Sequence, residues 1–396
     1  MARGGRRRMR ILVVGRGLPE QGGIPTFLEL LMRGLRNDAR VDASYCNLTA
    51  PHARAAAGKL TMGNLRRLVA DVRRVFREAR GVDVVHYHCA TTALGKDAAA
   101  AIRGSGGDPS DHVPITAPLT FLRGGAFAVA GRLRGARVVV HVHSNDDLSW
   151  GRTTWGRVSL RLSSFAVDTF VAVSRPIEAV LRDVFPNRLV LYVANAVDVH
   201  EFDHRRERGP GQPLRVTYLG VVTGRKGLDV MLDALEQLGG SVDRFRVEIA
   251  GSAPAEGPAE YERVRAAYDA AGLPNVEFTG NKDHDGVVEV LCRTDVLILV
   301  SFGEGLPMVI LEAMSAGAAV IATAVGQVTD AVVDGVTGFI VPVGDAGALA
   351  AALGRLVDDP LLLDTLASGG RKRAEEMFDL SRLCDDVVAV YASTLA

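Results

Sequence analysis

Two glutamates, Glu304 and Glu312, stand in the segment LVSFGEGLPMVILEAMSAG (299–317). A strand pattern ends at Ser301, a glycine-flanked loop follows, and a helix is predicted from near Pro307, whose fixed φ suits a first helical position. The stretch Gly305, Leu306, Pro307, Met308 and Val309 would then turn helix N-terminal amides toward a phosphate or toward sugar hydroxyls. Eight residues make about two helical turns. One carboxylate can therefore meet one end of an extended ligand while the other meets a second part of it. Lys226 follows a second glycine loop and offers a cation for an anionic ligand. Two histidine pairs, His86/His88 and His141/His143, end strand patterns at a spacing that puts each pair on one face. His86 and His88 could begin a metal site, but nothing nearby in sequence suggests a third ligand. A structural hydrogen-bonding role is the favoured reading, and no metal ligand is expected.

These residues need elements to hold them. Short β-branched runs alternate with amphipathic stretches along all 396 residues, which predicts βαβ units and parallel sheets covered on both faces. The first half gives strands at 10–14, 82–86, 137–141, 169–173 and 189–193. The second gives strands at 215–219, 246–250, 276–279, 296–300, 319–322 and 338–341. A charged stretch ending Gly-Pro-Gly-Gln-Pro reads as a linker over 204–213. Each half opens with a strand running into a glycine loop. The class is α/β, with two doubly wound Rossmann-like domains that present their ligand loops at the carboxyl ends of the strands. The expected domains are 1–203 and 214–377, followed by a last helix over 378–396.

Several motifs together resemble the retaining GT-B glycosyltransferases of family 4. The 299–317 segment resembles their paired-glutamate motif. Gly22 and Gly23 look like the glycine pair of the first loop, and His143 matches the active-site histidine. Asn195-Ala196-Val197-Asp198 is similar to the turn before the linker, with Ala196 in place of glycine. Gly220 followed by Lys226-Gly227 resembles the donor-phosphate loop, and Asp334-Gly335 with Thr337-Gly338-Phe339 the segment after the donor site. The resemblance implies domains facing each other across a cleft and a last helix crossing back to the first domain. It implies that Glu304 meets the donor sugar, Glu312 the ribose, and the Gly305–Val309 stretch the sugar and diphosphate. Lys226 would stabilise the leaving diphosphate, and the Thr279–Lys282 loop, with Thr279 and Asn281, would lie against the base. His143 would act from the first domain. The reaction implied is transfer of a hexose-type sugar from a UDP- or GDP-linked donor to a hydroxyl, with retention and without a metal or other cofactor. Where the family has an arginine after the loop glycine, this chain has Val221. Arg225 either compensates or is a solvated loop charge. A non-catalytic sugar-nucleotide-binding protein and a different chemistry on the same fold remain the competing readings.

Charge is unevenly divided. Up to Arg208 there are 32 Lys+Arg against 19 Asp+Glu, and beyond it 14 against 27, within totals of 46 and 46. The basic half suggests an anionic acceptor, whether lipid-linked or a soluble phosphate. The segment NLRRLVADVRRVFREAR (64–80) carries Leu65, Leu68, Val69, Val72, Val75 and Phe76 at helical spacing among arginines. It could pack on a sheet or meet the inner face of an anionic membrane. Nucleic acid is not an expected partner, and no Walker-type loop is present. Four scattered cysteines, no apolar run near about 20 residues and no signal-peptide core lead to a cytoplasmic expectation.

Overall fold

The computed structural model describes residues 7–17, 23–48, 62–89, 116–143, 154–204, 209, 211–254 and 257–396. The chain forms two compact units, Met1–Asn195 with Ser381–Ala396, and Ala196–Leu380.

The first unit holds six parallel strands in the order β2-β1-β3-β4-β5-β6. They are β1 (Met9–Gly15), β2 (Val41–Asn47), β3 (Val84–Cys89), β4 (Arg137–Val142), β5 (Thr169–Ala172) and β6 (Leu189–Tyr192). The helices are α1 (Gly23–Asn37), α2 (Met62–Glu78), α3 (Thr116–Arg132), α4 (Thr154–Ser163) and α5 (Arg175–Val184). Every residue of β3 and of β5 is buried, the signature of strands covered on both faces. The edge strand β2 alternates instead.

The second unit repeats the plan with β7 (Leu214–Leu219), β8 (Phe245–Ala250), β9 (Val276–Gly280), β10 (Val296–Leu299), β11 (Ala319–Thr323) and β12 (Phe339–Val341). Its helices are α6 (Leu228–Gln237), α7 (Ala259–Ala271), α8 (His284–Cys292), α9 (Met308–Ser315), α10 (Val328–Ala331), α11 (Ala346–Asp358) and α12 (Pro360–Met377). The sheet order is β9-β8-β7-β10-β11-β12, the 3-2-1-4-5-6 order of a dinucleotide-type sheet. Strand order reverses between β7 and β10 here, and between β1 and β3 in the first unit. Loops diverge at such points and leave a crevice at the carboxyl ends of the strands.

An aspartate just before a central strand recurs as a brace. Asp83 accepts the Arg10 amide at 2.8 Å, Asp168 the Val138 amide at 2.8 Å and Asp295 the Arg215 amide at 2.9 Å. Each ties the start of one strand to the start of its neighbour and pins their register. Asp295 is buried and also takes two bonds from the Arg215 guanidinium, at 3.0 and 2.7 Å. Such a charge is tolerable inside because it is paired and hydrogen-bonded.

The stretch 204–213, expected as the linker, lies within the second unit. The units part at Asn195–Ala196 because Val197 is already bonded into the second. Its amide donates to the Phe378 carbonyl at 2.8 Å, and its carbonyl accepts from Leu380 at 3.0 Å. The following turn, Val199–Phe202, buries Val199 and Phe202 and packs on α8 and α9. The last helix, α13 (Leu380–Leu395), groups with the first unit from Ser381 onward. There Thr394 donates to Thr169 at 2.9 Å, and Asp385 pairs with Arg40 at 2.6 Å. Among the described residues no helix is long and apolar enough to cross a membrane.

Tyr391 of α13 is fully buried and places its Oη 2.8 Å from His86 Nδ1. Tyr391→Phe leaves that nitrogen without its partner and should lower unfolding free energy by about 1–3 kcal/mol. The shift of the urea midpoint at constant slope measures it.

Candidate functional site

In the second unit the loops after β7 and β10 meet at the reversal of strand order. The Phe302 amide donates to the Arg225 carbonyl at 3.0 Å, and Arg225 Nη1 donates to the Gly303 carbonyl at 2.7 Å. Lys226 Nζ forms an ion pair with Glu304 Oε1, both side chains largely buried. Backbone packing fixes this meeting. Gly227 sits at φ +81°, and a Cβ there would lie 2.1 Å from the Val300 carbonyl oxygen. Gly326, in the loop after β11, has φ +58° and would set a Cβ 2.1 Å from the Glu304 carbonyl oxygen. Only glycine permits both the left-handed conformation and the contact. Beside it the Gln327 amide donates to the Gly305 carbonyl at 3.0 Å. Three loops therefore hold the peptide between Ser301 and Leu306, and Glu304 projects from a fixed backbone.

Helix α9 begins at Met308, with Pro307 as its extended N-cap and no side chain capping the end. Pro307 has no N–H, so it shapes the approach while the neighbouring amides supply donors. The positive end of the α9 dipole thus opens next to Glu304 and Lys226. Glu312, on the same helix, is buried. Burial pushes its carboxyl up to about 7, with the nearby His284 lowering it and Glu201 raising it further. His284 Nε2 lies 3.2 Å from Glu201 Oε2. Neither of these two was singled out from sequence, because Glu201 reaches α9 only through the folding of the Val199–Phe202 turn.

Gly220 lies at the end of β7. The next residue, Val221, is exposed, and its carbonyl accepts from the Tyr218 hydroxyl at 2.7 Å. Arg225 is exposed too, but its guanidinium is tied to Gly303 rather than merely solvated. Thr279 donates to Glu248 at 2.8 Å, and Glu248 is paired with Arg293. Asn281 is exposed. Asp283, in the Asp-His-Asp sequence before α8, caps that helix by accepting the Gly286 amide at 2.9 Å.

In the first unit Gly23 is the first residue of α1, while Gly22 lies outside the described residues. His143 follows β4 and donates its amide to the Cys89 carbonyl at 3.1 Å. Its Nε2 lies 2.9 Å from His88 Nδ1. Burial pushes His143 down to about 3, so the ring is neutral near pH 7. It is one of four: His86, His88, His141 and His143 pack ring against ring, with Phe27 of α1 against the last three. The sequence showed two separate pairs. The β3–β4 register, which sets His88 opposite His141, makes them one cluster.

Comparison with known proteins agrees with this geometry at two levels. The Anabaena protein Alr3699/HepE, solved in complex with UDP and glucose, shares the fold with a TM-score of 0.71. The match covers 98% of this chain and 100% of that one at 18% identity, and the fold class is GT-B. More narrowly, residues 199–373 match the family model of glycosyl transferases group 1. The matched region takes in nearly the whole second unit.

The putative colanic acid biosynthesis glycosyltransferase WcaL of Salmonella typhimurium is 32% identical over 46% of this chain and 45% of its own length. The GDP-mannose-dependent alpha-(1-6)-phosphatidylinositol monomannoside mannosyltransferase of Mycolicibacterium smegmatis is 30% identical over 61% and 66%. The chain spans about half the length of the curated relatives it matches first.

Glu312 sets a pH dependence whose sign follows from its shift. Its folded pKa of about 7 lies above the ordinary 4.5, so the folded state keeps a proton that the unfolded chain releases. That contribution is fully present below about pH 4.5 and is lost as pH rises through about 7. Relative to Glu312→Gln, the second unit should lose about 3 kcal/mol of stability over that span. Urea unfolding of both proteins at pH 4.5 and pH 8 checks it.

Proposed function

We propose that this chain is a retaining glycosyltransferase that moves a hexose-type sugar from a UDP- or GDP-linked donor to a hydroxyl acceptor. The observation that carries the reading is the Lys226–Glu304 pair, set at the mouth of the second sheet beside the uncapped α9 N-terminus. This is a place built for an anion flanked by hydroxyls. Glu304 accepts from the donor sugar and Glu312 from the ribose. Amides along Gly305–Val309 take the sugar and diphosphate. Lys226 and Arg225 face the phosphates past Gly220, while Thr279 and Asn281 border the base. By the family resemblance, Gly22, Gly23 and the neutral His143 of the first unit are assigned to the donor as well.

The bond from the anomeric carbon to the diphosphate breaks as the acceptor oxygen bonds the same carbon from the same face. The acceptor proton passes to the departing phosphate oxygen. No protein nucleophile is required, and the charge that develops on the diphosphate meets Lys226 and the helix terminus instead of a metal.

The acceptor side of the proposal rests on the basic first half. Along α2, Val75 is buried, whereas Leu65 and Val69 are 49% and 42% exposed. Phe76 is exposed as well, its ring covered by the Arg134 guanidinium at 3.7 Å. The inner end of the apolar stripe is thus spent on the core, and the outer end is presented together with arginines. That arrangement favours an anionic, lipid-linked acceptor at a membrane surface over a soluble phosphate.

Purified protein assayed with a panel of UDP- and GDP-sugars should turn over at least one. Glu304→Ala and Lys226→Ala should each lower the rate on the order of 100- to 1,000-fold. Mg²⁺ or Mn²⁺ added after EDTA should not raise it. Wild-type rates in Glu304→Ala would remove the site assignment.

A separate measurement addresses the membrane. The chain should co-sediment with anionic but not neutral liposomes, at about 1 kcal/mol per basic residue near the surface, and lose binding at high salt. Charge reversal at Arg73 and Arg77 should weaken it. Absence of binding leaves the soluble acceptor.

A further inference from the structure

The histidine cluster of the first unit contains more unsatisfied nitrogen than a buried structural cluster can carry cheaply. His86, His88 and His141 are 0%, 4% and 0% exposed. His86 Nδ1 faces Tyr391 Oη at 2.8 Å, and His88 Nδ1 faces His143 Nε2 at 2.9 Å. Among the described residues the opposite atoms, His86 Nε2 and His88 Nε2, are buried without a partner, as are both ring nitrogens of His141. A neutral imidazole carries one N–H and one lone pair, so His141 satisfies neither. Each unsatisfied group costs about 1–3 kcal/mol when buried.

From this arrangement we propose that His86, His88 and His141 bind a divalent cation of the zinc type through three imidazole nitrogens. One ligand atom from each residue lies within 4.8 Å of the others. A tetrahedral zinc with Zn–N bonds of about 2.0–2.1 Å needs such atoms about 3.4 Å apart, a gap closed by rotating the rings. The free atoms on His86 and His88 are the Nε2 atoms, and their Nδ1 atoms already face Tyr391 and His143. Metal-bound histidines are oriented in this way, one nitrogen on the ion and the other on a hydrogen-bond partner. Three imidazoles leave a fourth position for water, and an all-nitrogen set suits zinc, copper, nickel or iron rather than magnesium or calcium.

The backbone explains why the three converge. His86 and His88 share parity on β3, and His141 is the register partner of His88 on β4, so all three project from one face of adjacent strands. Phe27 of α1 and Tyr391 of α13 close over that face. The ion would tie together two central strands and the returning last helix. His143, assigned above to the donor, borders this cluster through His88, whereas the residues proposed to hold the diphosphate all belong to the second unit, so the cation would not take the role given to Lys226.

The test uses the full chain without a polyhistidine tag, dialysed against Zn²⁺ and analysed for bound metal. About one zinc per chain is expected, with a higher melting temperature, and Co²⁺ should give the absorption of a tetrahedral nitrogen site. His141→Asn should abolish uptake. Tyr391→Phe, which removes only the group that orients His86, should weaken it about 10- to 100-fold. X-ray absorption of the zinc-loaded wild type needs no variant to fold and should show three imidazoles. Substoichiometric uptake, a spectrum with fewer than three imidazoles, or undiminished binding in a folded His141→Asn protein would overturn the proposal.

Discussion

Backbone meets backbone at the carboxyl edge of the second sheet, and the candidate site depends on that contact. The loops after β7, β10 and β11 approach so closely that Gly227 and Gly326 each stand about where a side chain would strike a carbonyl oxygen. Once these loops are locked, Lys226 and Glu304 have one place to meet, and Arg225 is drawn onto the Gly303 carbonyl. The ion pair is then less a source of stability than a consequence of the packing. Its desolvation costs much of what its attraction returns, so its presence at a loop mouth points to chemistry rather than to structure.

Helix α9 extends the same constraint inward. Its first turn has no side-chain cap and its interior carries a buried carboxyl at Glu312. Both features oppose stability, one by leaving amides uncovered and the other by favouring a protonated acid. A protein accepts such costs where a ligand is to supply the missing partners. The two costs sit on one helix, as one extended ligand with phosphates at one end and ribose hydroxyls further along would require.

The first unit shows the opposite economy of polar groups. There the acids and bases that brace the sheet, such as Asp83 and Asp168 with their arginines, are at the strand starts and fully engaged. The unsatisfied nitrogens are concentrated at the other end, at β3 and β4, in the histidine cluster. That end is also where strand order reverses, between β1 and β3. The first unit thus keeps its structural charges at one end of the sheet and its histidine cluster toward the end where ligands bind in sheets of this kind.

Fold class, every strand but the half-exposed edge strand β2 (Val41–Asn47), and the Glu304–Glu312 spacing were legible in the residues, since they depend on local periodicity and on a short contiguous segment. Other features depended on which strands become neighbours. Periodicity alone gave His86/His88 and His141/His143 as two pairs with no third ligand, and only the β3–β4 register joined them. The approach of Glu201 to Glu312 required the turn Val199–Phe202 to fold onto α9, which also moved the division of the units from 204–213 back to Asn195–Ala196. Arg225 could be read two ways in the sequence, and the hydrogen bond that it donates to the Gly303 carbonyl, 78 residues away, decided that it is tied to the site loop. Sequence fixes which groups a segment can present, because side-chain direction follows backbone period. Which groups then share a site is set by sheet order and loop packing, interactions between segments far apart in the chain.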